Sequence, residues 1–326
     1  MSSTIAVIGG GAWGTALAQV AAAAGNQIVL WAREADVVAS INTAHENVRF
    51  LPGVPLSPAI RAAGSLGDLA HADVTLVVAP AQHVRAVLAE AAQTTAPLVL
   101  CAKGIEERTG QLLHEVAAAV QPSAAIAVLS GPTFAHEVAR GLPTAVTVAS
   151  ATRAAAERVR DALAGPRFRP YLSDDVAGAE IGGAVKNVLA IACGVVDGQG
   201  LGENARAALI SRGFAEMTRF GLACGARAET LAGLSGLGDL VLTCSSTQSR
   251  NFSLGRALGQ GQAAAEIMRN RETVAEGAHT APVLARVARE AGVEMPIVDA
   301  VCALLDGRTS AGQVTEALLS RPLTNE

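Results

Sequence analysis

A chain of 326 residues, half of them hydrophobic, is long enough for two domains and a large core that folds in water. A formal charge of −4 and a pI near 5.9 provide no basic field for a nucleic acid and no polybasic run for an anionic membrane surface. Five cysteines, an odd number without C-x-x-C spacing, indicate neither a disulfide framework nor a thiolate site, so no metal is expected and a reducing cytoplasm fits best.

The first charged side chain is Arg33, yet the uncharged stretch before it is no membrane span or signal. Glycines at 9, 10, 11, 14 and 25, with Gln19, Asn26 and Gln27, interrupt any apolar helix of spanning length, and no basic region or cleavage site precedes them. The stretch reads instead as strand, turn, helix and strand: β-branched Thr4 to Ile8, a turn at Gly9 to Gly14, helix-forming Thr15 to Ala24 closed by Gly25, and Gln27 to Trp31. This β-α-β unit carries G-x-G-x-x-G between its first strand and its helix. Gly9, Gly11 and Gly14 then stand where backbone must approach a pyrophosphate, with free N–H groups of the helix start facing the anion.

The second strand ends in Leu30-Trp31-Ala32-Arg33-Glu34 rather than in a lone acid for a ribose 2′-hydroxyl. Arg33 suits a 2′-phosphate, so NADP is expected to serve at least as well as NAD; the bland alternative is a solvated surface charge. Further strands are expected at Val74 to Val78, Leu98 to Cys101, Ile126 to Leu129 and Ala145 to Ala149. Alternation with helices implies a doubly wound parallel sheet of Rossmann type, with ligands at the carboxyl ends of its strands. Gln82, His83, Lys103 and Thr133 fall on that rim; His83 reads as a loop residue and is left out of the site.

Beyond Phe168 to Tyr171 the pattern turns helical: Ile181 to Val195, Ala205 to Cys224, Thr230 to Leu234, Leu240 to Thr243, His279 to Ala291, Ile297 to Leu305 and Ala311 to Leu319. The expected organisation is a dinucleotide-binding domain over residues 1–178 and an all-helical substrate domain over 179–326. Of the 25 lysines and arginines only Lys103 and Lys186 are lysine, leaving 23 arginines. An ammonium, unlike a guanidinium, can be tuned by burial into a proton donor and acceptor, and if Lys103 stands near Lys186 their repulsion lets the pKa of one fall towards the working range, so both are candidate catalytic residues. Lys186 follows Gly182-Gly183 and runs into the apolar Val188 to Cys193, with no anion nearby in sequence. It is either that acid and base or a lysine snorkelling to water. Asp239 could orient a hydroxyl or a lysine, and Ser249-Arg250-Asn251 could grip a phosphate or carboxylate; a helix cap and a surface pair are the alternatives.

Six motifs in order resemble the bacterial-type NAD(P)-dependent sn-glycerol-3-phosphate dehydrogenase family: Gly9-x-Gly11-Ala12-Trp13-Gly14-Thr15, Ala102-Lys103-Gly104, Ser130 to Ala135, Gly182 to Asn187, Gly236 to Leu240 and Gln248 to Asn251. The resemblance implies reversible reduction of dihydroxyacetone phosphate to sn-glycerol 3-phosphate, which feeds phospholipid synthesis, in a cytoplasmic enzyme that is often a homodimer. It implies Lys186 as proton donor and acceptor, with Lys103, Gly131, Thr133, Asp239, Ser249, Arg250 and Asn251 around the substrate. On the cofactor side it implies Ala12, Trp13, Arg33, Lys103, Ala135, Arg250, Val274 and Glu276. Ala12 stands where the family often has serine, so one hydroxyl contact to the pyrophosphate is missing. A 3-hydroxyacid dehydrogenase, a ketopantoate-type reductase or a nicotinamide-binding sensor are the competing readings.

Overall fold

The computed structural model describes residues 3–269 and 275–320. These fall into two compact units, one built from the residues up to 106 together with 111–180, the other from 107–110 together with those from 181 onward.

The first unit begins β1 (Thr4–Ile8), α1 (Ala12–Ala23), β2 (Gln27–Trp31), α2 (Ala35–Ala44), β3 (Ile60–Ala63) and β4 (Val74–Val77). It continues α3 (Val84–Glu90), β5 (Leu98–Leu100), α4 (Leu113–Val120), β6 (Ile126–Ser130), α5 (Ala135–Ala139), β7 (Thr144–Ala149), α6 (Arg153–Leu163) and β8 (Phe168–Ser173). The eight strands form one sheet in the order β3-β2-β1-β4-β5-β6-β7-β8. Side chains alternate between its faces, as the two-residue strand period requires. Ile5, Val7, Leu76, Val99, Ala127 and Leu129 join one buried layer, while Ala6, Ile8, Val77, Leu98, Leu100 and Val128 join the other. Both faces are thus covered, which explains why these strands read as continuous apolar runs.

The expectation of a parallel sheet holds through β6; β7 then runs antiparallel to β6, and β8 parallel to β7. After β6 the connection, which contains only the five-residue α5, brings the chain back into the sheet at the end of the strands where it left. Two strands escape a reading of the sequence, β3 and β8, and both lie at sheet edges. Pro170 interrupts β8, a residue tolerated at an edge because the missing N–H is not needed there.

The second unit is helical. It holds most of α7 (Val176–Gly198), then α8 (Gly202–Ala223), α9 (Ala228–Leu231), α10 (Asp239–Cys244), α11 (Arg250–Gly259), α12 (Ala264–Arg269), α13 (Glu276–Glu290), α14 (Pro296–Leu305) and α15 (Ala311–Leu319). Among the described residues α7 is the helix long and apolar enough to cross a membrane, and that stretch is wholly buried, as the core helix of a folded unit would be. Its neighbour α11 approaches backbone to backbone. Gly194 and Gly198 on α7, and Gly255 and Gly259 on α11, are each four residues apart, and a Cβ on any of them would strike the facing main chain. Helix α11 went unread in the sequence because its glycines and polar residues mask an apolar stripe of Phe252, Leu254 and Leu258.

Candidate functional site

In the first unit the glycine turn is shaped by contacts that exclude side chains. Gly9 has φ +124°, a conformation that favours glycine, and a Cβ on Gly14 would drive into the Gly9 carbonyl. Gly11 differs: it is exposed, and a Cβ there would meet no protein atom within 4 Å. Its bareness serves no packing need and suits the approach of a phosphate. The chain then enters α1, whose first turn contains no acidic residue, so its N–H groups and positive dipole end are not neutralised from within. Trp13 Nε1 is buried and meets no hydrogen-bond acceptor among the described residues. These features fit a dinucleotide pyrophosphate.

Asn47 braces this turn from a neighbouring loop. Its Nδ2 donates to the Gly10 carbonyl and to Thr15 Oγ1, each at 2.8 Å, while its Oδ1 accepts the Phe50 N–H at 3.1 Å. Thr15 Oγ1 in turn donates to the Gly11 carbonyl at 2.9 Å. At the end of β2, Arg33 is 80 % exposed and pairs with Glu34 at 3.1 Å. On the carboxyl rim of β5 and β6, Lys103 Nζ donates to the Gly131 carbonyl at 3.2 Å, and Thr133 Oγ1 donates to the same oxygen at 3.3 Å. Gly131 has φ +157°, and a Cβ there would press on Val146. Ala135 opens α5 immediately afterwards.

The second unit holds the other group of residues. Lys186 Nζ donates to Asp239 Oδ1 at 2.6 Å and to Thr243 Oγ1 at 2.8 Å, and Thr243 Oγ1 lies 3.2 Å from the same carboxylate oxygen. The lysine side chain is 7 % exposed and the aspartate 0 %. An absence of anions around Lys186 in sequence does not carry into space, because the fold brings Asp239 from 53 positions away. Gly182 makes this possible: one turn before Lys186 it leaves room for the Ser235 and Gly236 backbone to lie on α7, and α10 starts three residues later. Lys186 is therefore no snorkelling side chain, and Asp239 is not merely a cap.

Asn187 Oδ1 accepts from Asn251 Nδ2 at 2.9 Å, and Asn251 Oδ1 accepts the Gly277 N–H at 3.0 Å, tying α7, α11 and α13 together. Ser249 caps α11, its Oγ accepting the Phe252 N–H at 3.2 Å, and Arg250 follows, exposed, as the first helical residue. Glu276 opens α13, half-buried. Val274 lies outside the described residues. Where α7 leaves the first unit, burial pushes the Glu180 carboxyl above its usual range although His114 contacts it. His114 donates its N–H to Glu180 Oε1 at 3.0 Å and sets Nδ1 2.6 Å from Oε2. Burial works against the imidazolium, yet this contact raises His114 overall. Among the described residues no three His, Cys, Asp or Glu side chains group as a metal site would require.

Residues 4–156 match the family described as NAD-dependent glycerol-3-phosphate dehydrogenase N-terminus, and residues 175–316 its C-terminus. The chain is 62 % identical, over all of its length and 98 % of the relative's, to glycerol-3-phosphate dehydrogenase [NAD(P)+] of Erythrobacter litoralis. It is 61 % identical to the protein of that name from Novosphingobium aromaticivorans, covering all of this chain and 99 % of that one. This chain belongs to the NAD(P)-dependent glycerol-3-phosphate dehydrogenase family. The crystal structure of glycerol-3-phosphate dehydrogenase from Coxiella burnetii superposes with a TM-score of 0.94 at 39 % identity, over 98 % of this chain and 99 % of that one.

Family membership makes the chain an NAD(P)-dependent oxidoreductase and removes the sensor and hydroxyacid readings. Sequence reasoning missed three participants in the geometry: Thr243, Asn187 and Asn47. Thr243 carried a signal, standing four residues after Asp239 and so on the same face of one helix. Asn187 adjoins the lysine inside a motif that gives its amide no separate signal. Asn47 sits in an irregular loop, where nothing in the sequence marks its reach to the glycine turn.

Proposed function

We propose that the chain reversibly reduces dihydroxyacetone phosphate to sn-glycerol 3-phosphate with NADPH or NADH, and that Lys186 gives and takes the proton at the substrate oxygen. The observation that carries this reading is the buried ammonium of Lys186, held by Asp239 and Thr243. Reducing a ketone leaves negative charge on its oxygen, so a donor must deliver a proton there as the carbon is attacked. When bound, the reduced nicotinamide supplies the hydride. Asp239 and Thr243 fix the direction of the ammonium, and Asp239 offsets its charge, so the donor is set before substrate arrives.

For the phosphate we assign Lys103, with the main chain at Gly131 and the hydroxyl of Thr133, and from the helical unit Arg250, Ser249 and Asn251. Arg250 brings a planar fork at the positive end of α11. Gly9, Gly11, Ala12, Trp13 and Gly14 take the pyrophosphate, Arg33 the adenosine ribose end, and Lys103, Ala135, Arg250, Val274 and Glu276 complete the cofactor contacts. The product is the backbone of glycerophospholipids, made where a reducing cytoplasm keeps the cysteines as thiols. The test follows NADPH absorbance on adding dihydroxyacetone phosphate. Lys186→Arg keeps the charge and loses the proton transfer; turnover should vanish while NADPH still binds. Near-normal turnover in that variant would overturn the assignment.

A further inference from the structure

Lys103 stands on a short span whose two ends are fixed, and the fixing at the far end is unusually specific. At the near end the Cys101 N–H donates to the Val77 carbonyl at 2.9 Å, the last rung of the sheet before the loop. At the far end Glu106, only 6 % exposed, accepts two bonds from Arg85 of α3: Nε to Oε1 at 2.7 Å and Nη2 to Oε2 at 2.8 Å. The same Nη2 reaches Gln111 Oε1 at 3.1 Å, and the Glu106 N–H donates to the Gln111 carbonyl at 3.0 Å. Gln82 Nε2 adds a bond to the Ile105 carbonyl at 2.9 Å. Residues 102–105 are therefore a four-residue bridge between a sheet and an ion pair.

We propose that Arg85 and Glu106 are positioning residues for Lys103, setting the loop so that its ammonium is aimed for the substrate phosphate. The inference rests on the reading of Lys103 as a phosphate ligand. Two physical effects act in the same direction. Two parallel bonds between guanidinium and carboxylate fix an angle as well as a distance, which a single contact or an apolar patch does not. The pair also occupies the carboxylate. Glu106 lies three residues from Lys103, and stripped of its guanidinium partner it would compete for that ammonium and repel an incoming dianion. Arg85 is 27 % exposed and Glu106 8 % in their side chains, so the contact is partly sheltered from the screening that makes open surface pairs weak. Neither residue is proposed to touch the substrate.

The test compares Arg85→Met, Arg85→Lys and Glu106→Gln with Lys103→Met as the reference, by steady-state kinetics in both substrates and by thermal unfolding. In Arg85→Met and Glu106→Gln the KM for dihydroxyacetone phosphate should rise at least ten-fold, while that for NADPH, which Lys103 also touches in the proposed site, rises by no larger factor than in Lys103→Met. Arg85→Lys, which restores charge without the fork, should fall between, and it carries the test if Arg85→Met does not fold. The double variant Arg85→Met with Glu106→Gln should be no worse than the poorer single, since one contact is lost either way. An unchanged KM for dihydroxyacetone phosphate with a lowered unfolding midpoint would reduce the pair to a fold support and overturn the proposal, as would a rise in the NADPH KM larger than Lys103→Met itself gives. If Lys103→Met itself leaves that KM unchanged, the phosphate reading fails and takes the proposal with it. If Lys103→Met raises it and the Arg85 and Glu106 variants do not, only the positioning role is lost.

Discussion

Replacing Asp239 by asparagine keeps the shape of the site and removes its negative charge. The Lys186 ammonium, 7 % exposed and 2.6 Å from the lost carboxylate oxygen, is then a buried cation deprived of the Asp239 charge. Breaking a buried pair from one side costs about 3–5 kcal/mol while the remaining partner stays charged. The same free energy spans roughly two to four pH units of titration, so releasing the lysine proton relieves it. The sign follows from the linkage. The unfolded chain holds that proton more tightly than the folded variant, so the variant is most destabilised at low pH and recovers as pH rises. Denaturant unfolding at pH 6 and pH 9.5 should give a loss of about 3 kcal/mol or more at the lower pH, shrinking by at least half at the higher. Lys186→Met combined with Asp239→Leu removes both charges and should regain most of the stability with no turnover. A loss of equal size at both pH values would refute the reasoning, because a buried ammonium deprived of the Asp239 charge must respond to protons.

Three further expectations are independent of that one. Glu216 accepts the Ile297 N–H at 2.8 Å, and burial, against those backbone donors at the start of α14, pushes its carboxyl from 4.5 up to about 7. The folded chain therefore holds a proton that the unfolded chain releases, so this contribution is full below pH 4.5, declines as pH rises through about 7 and amounts to about 3 kcal/mol. Glu216→Gln should flatten that part of the stability profile, and an unchanged slope between pH 5 and 8 would exclude Glu216 as its source. Asn47→Ala leaves the Gly10 carbonyl without its 2.8 Å donor and should raise the KM for NADPH about ten-fold with that for dihydroxyacetone phosphate little changed; a loss of stability alone would confine Asn47 to the fold. Arg33→Ala should weaken NADPH and spare NADH in paired assays, whereas parallel losses would count against a role at the 2′-phosphate.

The parts of the molecule legible in the sequence are those whose cause is local. The glycine turn between Ile8 and Ala12 announces itself because strand, turn and helix follow in immediate order, each with its own residue preferences. The rarity of lysine singled out Lys186 without any knowledge of its neighbours. What stayed hidden depends on distant partners. Edge strands β3 and β8 are short, alanine-rich or broken by proline, and become strands by pairing with an existing edge. The reversal between β6 and β7 is a choice of pairing direction, and an apolar run reads the same in either direction. The anion beside Lys186 and the fork of Arg85 on Glu106 join residues 53 and 21 positions apart, and no periodicity encodes such a meeting.

The bare contacts at Gly182, Gly194 and Gly198 bracket the lysine on α7 from both sides. A helix advances about 100° per residue, so inserting or deleting one amino acid between positions 183 and 193 would swing one bracket a quarter-turn out of phase with the other. No flexible side chain lies at those crossings to absorb the error. This segment should therefore accept exchanges of residue type at its other positions far more readily than any change in its count, making chain length between the two brackets a conserved quantity of the site.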